Sequence, residues 1–151
     1  MIFKPICVTL ALMSSSRLAE LPGRPCPIAA AIEVVGERWS LLVVRELALG
    51  ASTFNEIVAG TGAPRDRIAA RLKSLVDAGI VERVAYQTTP QRFEYRLTKS
   101  GEELAPLLRA LLKWGLAHVV SPDDPDRDVY RSAAVLRGNY FHRTRDGHGQ
   151  G

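Results

Sequence analysis

The stretch TGAPRDRIAARLKSLVDAGIVER, residues 61–83, constrains the fold more than any other part of the chain. Ile68, Leu72, Leu75 and Val76 recur at helical spacing, so one side of a helix must enter a core. A tight turn, Gly60-Thr61-Gly62-Ala63, precedes it. Pro64 opens the helix, where a missing N–H has no intrahelical partner to lose. Gly79 ends it, and the period then changes from helical to alternating. Ile80–Tyr86 and Phe93–Leu97 read as strands, with Phe93, Tyr95 and Leu97 on one face and Glu94 and Arg96 on the other. The polar link QTTPQR contains Pro90 and is longer than a two-residue turn, which predicts a hairpin with a protruding tip. A short turn, an amphipathic helix and an antiparallel hairpin must therefore follow one another directly.

The elements before the turn are also helical. Pro25-Cys26-Pro27 breaks the backbone, and Ile28, Ala31, Ile32 and Val35 then follow at helical spacing up to Gly36. In GERWSLLVVRELALG, Trp39, Leu42, Val43, Glu46 and Leu47 define the inner face of a second helix that ends at Gly50. Ser52 or Thr53 caps a short third helix. Thr53 with Glu56 would form a capping box, and Phe54, Ile57 and Val58 supply the apolar side. After the hairpin, Thr98 caps a further helix whose Leu104, Leu107, Leu108, Leu111, Leu112 and Val119 recur at three and four. Pro106 inside that pattern bends the helix or marks where its regular part begins. The stripe is richer in leucine than a small core needs from one terminal helix. It either completes the core or pairs with a second copy of the chain, and with Trp114 it supplies the candidate dimer interface.

A chain of 151 residues suits one domain with its own core. We divide it into a flexible N-terminal arm (1–24), a folded domain (25–120) and a C-terminal extension (121–151) that is partly disordered. In the extension PDDPD is a linker, DVYRSAAVLRGNYF a candidate short helix, and RTRDGHGQG a disordered tail. The run MIFKPICVTLALM faintly resembles a signal peptide but lacks a small-x-small cleavage site, and Met13 is an alternative start. No run approaches the ~18–20 apolar residues of a membrane-spanning helix. Two cysteines, Cys7 and Cys26, make no disulfide framework and suit a reducing cytoplasm.

Charge is unevenly placed. Residues 24–120 carry thirteen basic and ten acidic side chains, whereas the last 31 residues carry five of each. Most of the excess lies within residues 61–75, as Arg65, Arg67, Arg71 and Lys73 against Asp66. A local excess of this kind gives a physical reason to consider polyanions.

Helix, short helix, tight turn, helix and hairpin is the order of a winged helix-turn-helix. The expected fold class is therefore mainly α (α+β), with a two-stranded β-hairpin wing and a C-terminal dimerisation helix. In such a domain the second helix of the pair enters the major groove, which is wide enough to admit it. With Ile68, Leu72, Leu75 and Val76 buried, Asp66, Arg67, Ala70, Lys73 and Ser74 face outward, flanked by Arg65 and Arg71. Arg67 is the candidate for a base edge, because a guanidinium can bond guanine N7 and O6 together. Lys73 and Arg71 suit phosphates. Gln87, Thr88, Thr89, Gln91 and Arg92 at the hairpin tip would reach the adjacent backbone or minor groove. The rival is a winged helix that binds protein and not DNA.

At this point the sequence resembles the HxlR-type transcriptional regulators, relatives of the MarR group. The resemblance runs through Cys26-Pro27, the Gly36-to-Leu47 segment with Arg38, Trp39, Arg45 and Glu46, and Phe54-x-Glu56-Ile57. It continues through Arg71-Leu72, the GIVER run at 79–83, Arg92-x-Glu94-Tyr95, the LTKSG at 97–101 and Trp114, and so covers about residues 24–118. It implies a homodimer of winged helices on pseudo-palindromic operator DNA, usually as a repressor. It also implies that a cysteine in the position of Cys26 can sense oxidants or electrophiles, a role that a helix N-terminus would favour; an unreactive structural thiol is the alternative. Two departures matter. Relatives often begin the reading helix with Ser or Thr and carry polar residues in its middle, whereas this chain has Pro64, Ala69 and Ala70. Side-chain hydrogen bonds to bases from the two alanines are unavailable, although an alanine methyl can touch a thymine methyl.

The catalytic inventory is poor. His118, His142 and His148 are scattered without metal-ligand spacing, and no nucleophile elbow, phosphate loop or paired carboxylates stand out. We expect no enzyme, no cofactor and no metal.

Overall fold

The computed structural model describes residues 17–127. The expectations for Met13, for a helix in 128–141 and for a disordered tail lie outside the described residues. A single 3-10 turn at Leu18–Glu20 leads to α1 (Pro27–Val35), α2 (Ser40–Leu49), α3 (Phe54–Thr61) and α4 (Arg65–Asp77). Strands β1 (Val81–Thr88) and β2 (Gln91–Leu97) follow, then a four-residue helix α5 (Lys99–Glu102) and the longer α6 (Ala105–His118). This is a helical domain with a two-stranded antiparallel wing, as expected.

The core gathers around α2. Val43 and Val44 are fully buried and pack with Ile57 of α3, with Ile68, Leu72 and Leu75 of α4, and with Ile80 and Val81 at the start of the wing. The inner face of α2 is rotated relative to the expected one. Ser40, Val43, Val44, Leu47 and Ala48 are buried, while Leu42 and Glu46 are only half-buried. The run LLVV is apolar all round, so periodicity could not choose among its faces; packing against α3, α4 and β2 did.

The capping box forms as expected. Thr53 Oγ1 accepts the Glu56 N–H at 3.3 Å, and the Glu56 carboxylate accepts from Ser52 N at 2.8 Å and Thr53 N at 3.1 Å. The backbone bonds from Ser52 and then Thr53 hold the Glu56 pKa below its ordinary value. A carboxyl with a lowered folded-state pKa stabilises the fold above its unfolded pKa, and that contribution disappears as pH falls through the folded value. Thr53→Ala is expected to cost about 1 kcal/mol in a denaturant titration. Glu56→Gln should lower the melting temperature at neutral pH, with the difference from wild type shrinking through the acid carboxylate range. A difference unchanged down to strongly acid pH would show that the charge plays no part.

Two connections differ from expectation, and a third takes one of its two expected forms. Helix α3 runs on to Thr61, whose hydroxyl donates to Ile57 O at 2.8 Å, so the turn is shorter than Gly60–Ala63. Gly62 makes it, at φ 67°, where a Cβ is disfavoured. The wing closes through two residues, Thr89 and a cis Pro90, because Thr88 pairs with Gln91 and Gln87 with Arg92. The ladder takes up the extra residue as an irregularity at Tyr86, between Ala85 and Gln87. The helix after Thr98 is divided: α5 ends at Glu102, and Pro106 lies in the first turn of α6, where its regular part begins.

Two further ties shape the domain. Tyr95 N donates to Ser52 O at 2.7 Å, anchoring β2 to the segment before α3. Beyond α6 the chain turns back, and the Arg127 guanidinium donates to the carbonyls of Leu116 at 2.7 Å and Val120 at 3.0 Å. The Leu116 carbonyl is one of those left open at the C-terminus of α6, and Val120 lies just beyond that end.

Candidate nucleic-acid interface

Helix α4 buries Ile68, Leu72 and Leu75 and exposes Arg65, Asp66, Arg67, Ala69, Ala70, Lys73, Ser74 and Asp77. The exposed side therefore contains most of the expected reading residues. Helix α3, which precedes it, is tied to α2 from behind. Arg45 of α2 bonds the neighbouring Glu46 carboxylate at 2.7 Å and donates to Gly60 O, near the end of α3, at 2.9 Å.

The basic residues of α4 have different surroundings. Arg65 lies over the Phe54 ring, 4.8 Å from its centroid, on the α3 side of the helix. Arg67 is well exposed and only loosely paired with Asp66, at 3.8 Å. Lys73 meets Asp77 at 3.0 Å, one helical turn away, and both are exposed, so water or a phosphate can displace that pair at little cost. Ala70 presents only a methyl, and Ser74 directs its hydroxyl to Ala70 O at 3.0 Å.

Arg71 stands apart from this set. Its side chain is 22% exposed and lies 3.4 Å from Glu37 in the turn between α1 and α2. The expectation of an open phosphate ligand took Arg71 from the helical wheel alone, which could not show that the α1–α2 turn folds over that flank. On the wing, Arg92 is exposed on β2 near the tip, and Gln87 is committed locally, its amide donating to Thr89 O at 3.0 Å. Arg83 is stacked on Phe93 at 3.4 Å.

Sequence reasoning passed over Arg38 as a contact residue. It borders the same flank of α4 as Arg67 and Arg71, and its guanidinium lies 4.5 Å from the centroid of the Trp39 ring.

Cys26 is the N-cap residue of α1. It is a free, half-buried thiol, and its side chain caps no helical N–H. The six residues expected at the dimer interface divide into two groups. Leu104, Leu108 and Leu112 pack toward the core, whereas Leu107, Leu111 and Trp114 are exposed. Ile28 and Ile32 of α1 are exposed as well. Among the described residues no group of His, Cys, Asp or Glu could hold a metal ion, and no helix is long and apolar enough to cross a membrane.

A short helix, a tight turn, a basic helix and a β-hairpin wing packed on one core define a winged helix-turn-helix domain. Residues 34–123 match the family model for the HxlR-like helix-turn-helix, and the chain belongs to that family. It is 39% identical over 98 residues to an uncharacterised helix-turn-helix-type transcriptional regulator of Mycobacterium tuberculosis, covering 65% of this chain and 62% of that protein. Matched to that relative, the chain thus spans less than two thirds of its length. Among solved structures it is similar to the reduced form of the transcriptional regulator YodB from Bacillus subtilis. The identity is 31% and the TM-score 0.54, over 66% of this chain and 98% of that one. It is also similar to the redox regulator HypR in its oxidised form, at 28% identity and a TM-score of 0.55, over 64% of this chain and all of the other.

Proposed function

We propose that this protein is a sequence-specific DNA-binding transcriptional regulator, a homodimeric repressor acting in the cytoplasm and not an enzyme. The observation that carries this reading is the exposed side of α4, where Arg67 is well exposed and held only by a loose 3.8 Å contact with Asp66 in the first turn, with the basic wing residue Arg92 following in the chain. Helix α4 enters the major groove. Arg67 reads a guanine edge, Arg65 and Lys73 hold phosphates, and the wing with Arg92 lies on the adjacent backbone. Asp66 and Ala70 face the groove without supplying a donor, so DNA shape carries part of the specificity.

The homodimer forms through the apolar residues left uncovered. Leu107, Leu111 and Trp114 of α6, with Ile28 and Ile32 of α1, give each protomer an apolar surface that a second copy would cover. Leu104, Leu108 and Leu112 act from behind, seating α6 on the core.

Binding to duplex DNA should weaken log-linearly as salt rises, because each neutralised phosphate releases counterions. Arg67→Ala is expected to lose about 1–3 kcal/mol on operator DNA and much less on random DNA. Lys73→Ala should weaken both similarly and make the salt slope shallower. Fluorescence anisotropy on the promoter fragment beside the protein's own gene reads both effects. Unchanged affinity in both variants would mean that α4 does not read DNA, and salt-independent binding to a protein partner would favour the interaction-module reading.

Cys26 adds an effector response to this reading. As a partly accessible thiol at the head of α1, next to Ile28 and Ile32, it is placed so that modification would disturb how two protomers pack and hence the spacing of their reading helices. Two similar proteins, YodB and HypR, were solved in named redox states, which supports a thiol-based response. Treatment with a quinone or diamide should lower DNA affinity in wild type and leave Cys26→Ser unaffected; equal responses in the two would remove Cys26 as the sensor.

A further inference from the structure

Beside α4 the turn between α1 and α2 forms a cleft of about 500 Å3. Glu37, Arg38 and Trp39 line one side, and Pro64, Arg67 and Arg71 line the other. Arg67 and Arg71 are four residues apart, so they occupy successive turns on one flank of the helix. The lining thus holds three arginines and one acid, Glu37, with Asp66 just outside it 3.8 Å from Arg67. Trp39 is the only non-glycine residue with positive φ among the described residues, at 81°. An L-residue disfavours that conformation, and such outliers concentrate where a protein uses a particular geometry. Here the bend sets the indole beneath Arg38, 4.5 Å from the guanidinium carbon to the ring centroid. Stacking fixes the plane of the guanidinium and leaves its N–H edge able to bond an anion. Arg38 is exposed and has no ion-pair or hydrogen-bond partner among the described residues.

We propose that this cleft is a DNA-backbone site on the flank of the reading helix. Arg38, held on Trp39, binds a phosphate bordering the groove that α4 enters, and Glu37 is an internal counter-ion that competes with DNA for Arg71. The inference rests on the reading of α4 as the groove-entering helix. A helix lying in the major groove has sugar-phosphate backbone along its flanks, so an anion at this flank is a phosphate. Glu37 is 69% exposed and its contact with Arg71 is 3.4 Å long, so the pair is open to exchange. When a phosphate takes Arg71, the Glu37 carboxylate is left close to the DNA and opposes binding. The cleft thus sets backbone affinity through one added cation and one resident anion.

The test compares wild type with Arg38→Gln, Arg38→Lys and Glu37→Gln, all as full chains, with Arg67→Ala as the control for the reading helix. Anisotropy is measured against a duplex selected in vitro for binding to wild type and against a random-sequence duplex, over a range of KCl concentrations. Arg38→Gln is expected to weaken both duplexes by a common factor, about tenfold at low salt, and to reduce the salt slope by about one for each protomer. Arg38→Lys should keep most of the slope. Glu37→Gln should tighten both duplexes several-fold, which loss of a merely structural ion pair would not do. Thermal melts should place the Arg38 variants and wild type together. The proposal is overturned if Arg38→Gln leaves affinity and slope unchanged, if it weakens only the selected duplex, or if Glu37→Gln weakens binding. If wild type binds neither duplex in a salt-dependent way, the DNA reading itself falls. If Arg67→Ala loses discrimination while Arg38→Gln is silent, only the cleft does.

Discussion

Leu72→Ala is expected to destabilise the domain by about 3 kcal/mol. Leu72 is 2% exposed and lies one turn from both Ile68 and Leu75, which are fully buried. Its side chain fills the space where α4 meets the core centred on Val43 and Val44 of α2. Removing three carbons there loses their transfer free energy and leaves a cavity between rigid helices that cannot close around it. Domains of this size are stable by only about 5–15 kcal/mol, so the change is a large share of the total. The consequence for DNA should follow from stability alone. At a temperature well below the midpoint the variant should bind like wild type, because no exposed residue of α4 has changed. Near the variant's own midpoint, binding should fail as the fold does. Urea melts and anisotropy at two temperatures would show this, and a variant that binds poorly while fully folded would mean that Leu72 tunes the reading surface itself.

Gly101→Ala is expected to cost about 2–3 kcal/mol, a large effect for one added methyl. Gly101 is buried at the start of the segment that follows the wing, and a Cβ there would be driven into the Ile80 carbonyl oxygen, with the Leu97 side chain next nearest at 3.0 Å. Backbone cannot rotate away as a side chain can. The carbonyl concerned is also in use, since Ile80 O accepts the Thr98 N–H at 3.0 Å and the Thr98 hydroxyl at 3.1 Å. The Thr98 hydroxyl also donates to Gly79 O at 2.6 Å, and the Gly101 N–H donates to Thr98 Oγ1 at 3.3 Å. Threonine, glycine and the two carbonyls form one joint that fixes where the wing ends and α5 begins. An added methyl should therefore loosen the base of the wing as well as lower the midpoint. Hydrogen exchange is expected to quicken at Val81 and Leu97, which pair at the wing base, before it quickens in α2. Uniform change across both would place the damage in the core instead.

Much of the fold was legible in the chain because the signals are local. The capping box at Thr53 and Glu56, the proline at the head of α4, the change of period after Gly79 and the threonine before α5 each act within a few residues. Such features say where an element starts and stops. They do not say what lies beside it. The LLVV run of α2 offered more than one face, and only contact with α3, α4 and β2 made Val44 a core residue and Leu42 a peripheral one. The wing is a further case. QTTPQR reads as a long polar loop, yet pairing of Gln87 with Arg92 and of Thr88 with Gln91 draws its ends into the ladder and leaves two residues to turn.

The candidate interface divides along the same line. By itself the sequence determined that α4 is amphipathic, which of its sides is buried, and that its outer side is basic in the first turns and short of polar side chains at Ala69 and Ala70. Those properties follow from residue type and helical period. Tertiary structure alone decided that Arg71 is drawn under the α1–α2 turn toward Glu37 while Arg67 stays exposed with only a loose contact to Asp66, and that Arg38, nearly thirty positions before Arg67 in the chain, joins the same flank. It likewise turned Leu104, just before α6, and Leu108 and Leu112 within it inward and left Leu107, Leu111 and Trp114 outside. The physical reason is that a charge or an apolar side chain takes its role from what stands opposite it in space, and only the packed chain sets the partners opposite each other.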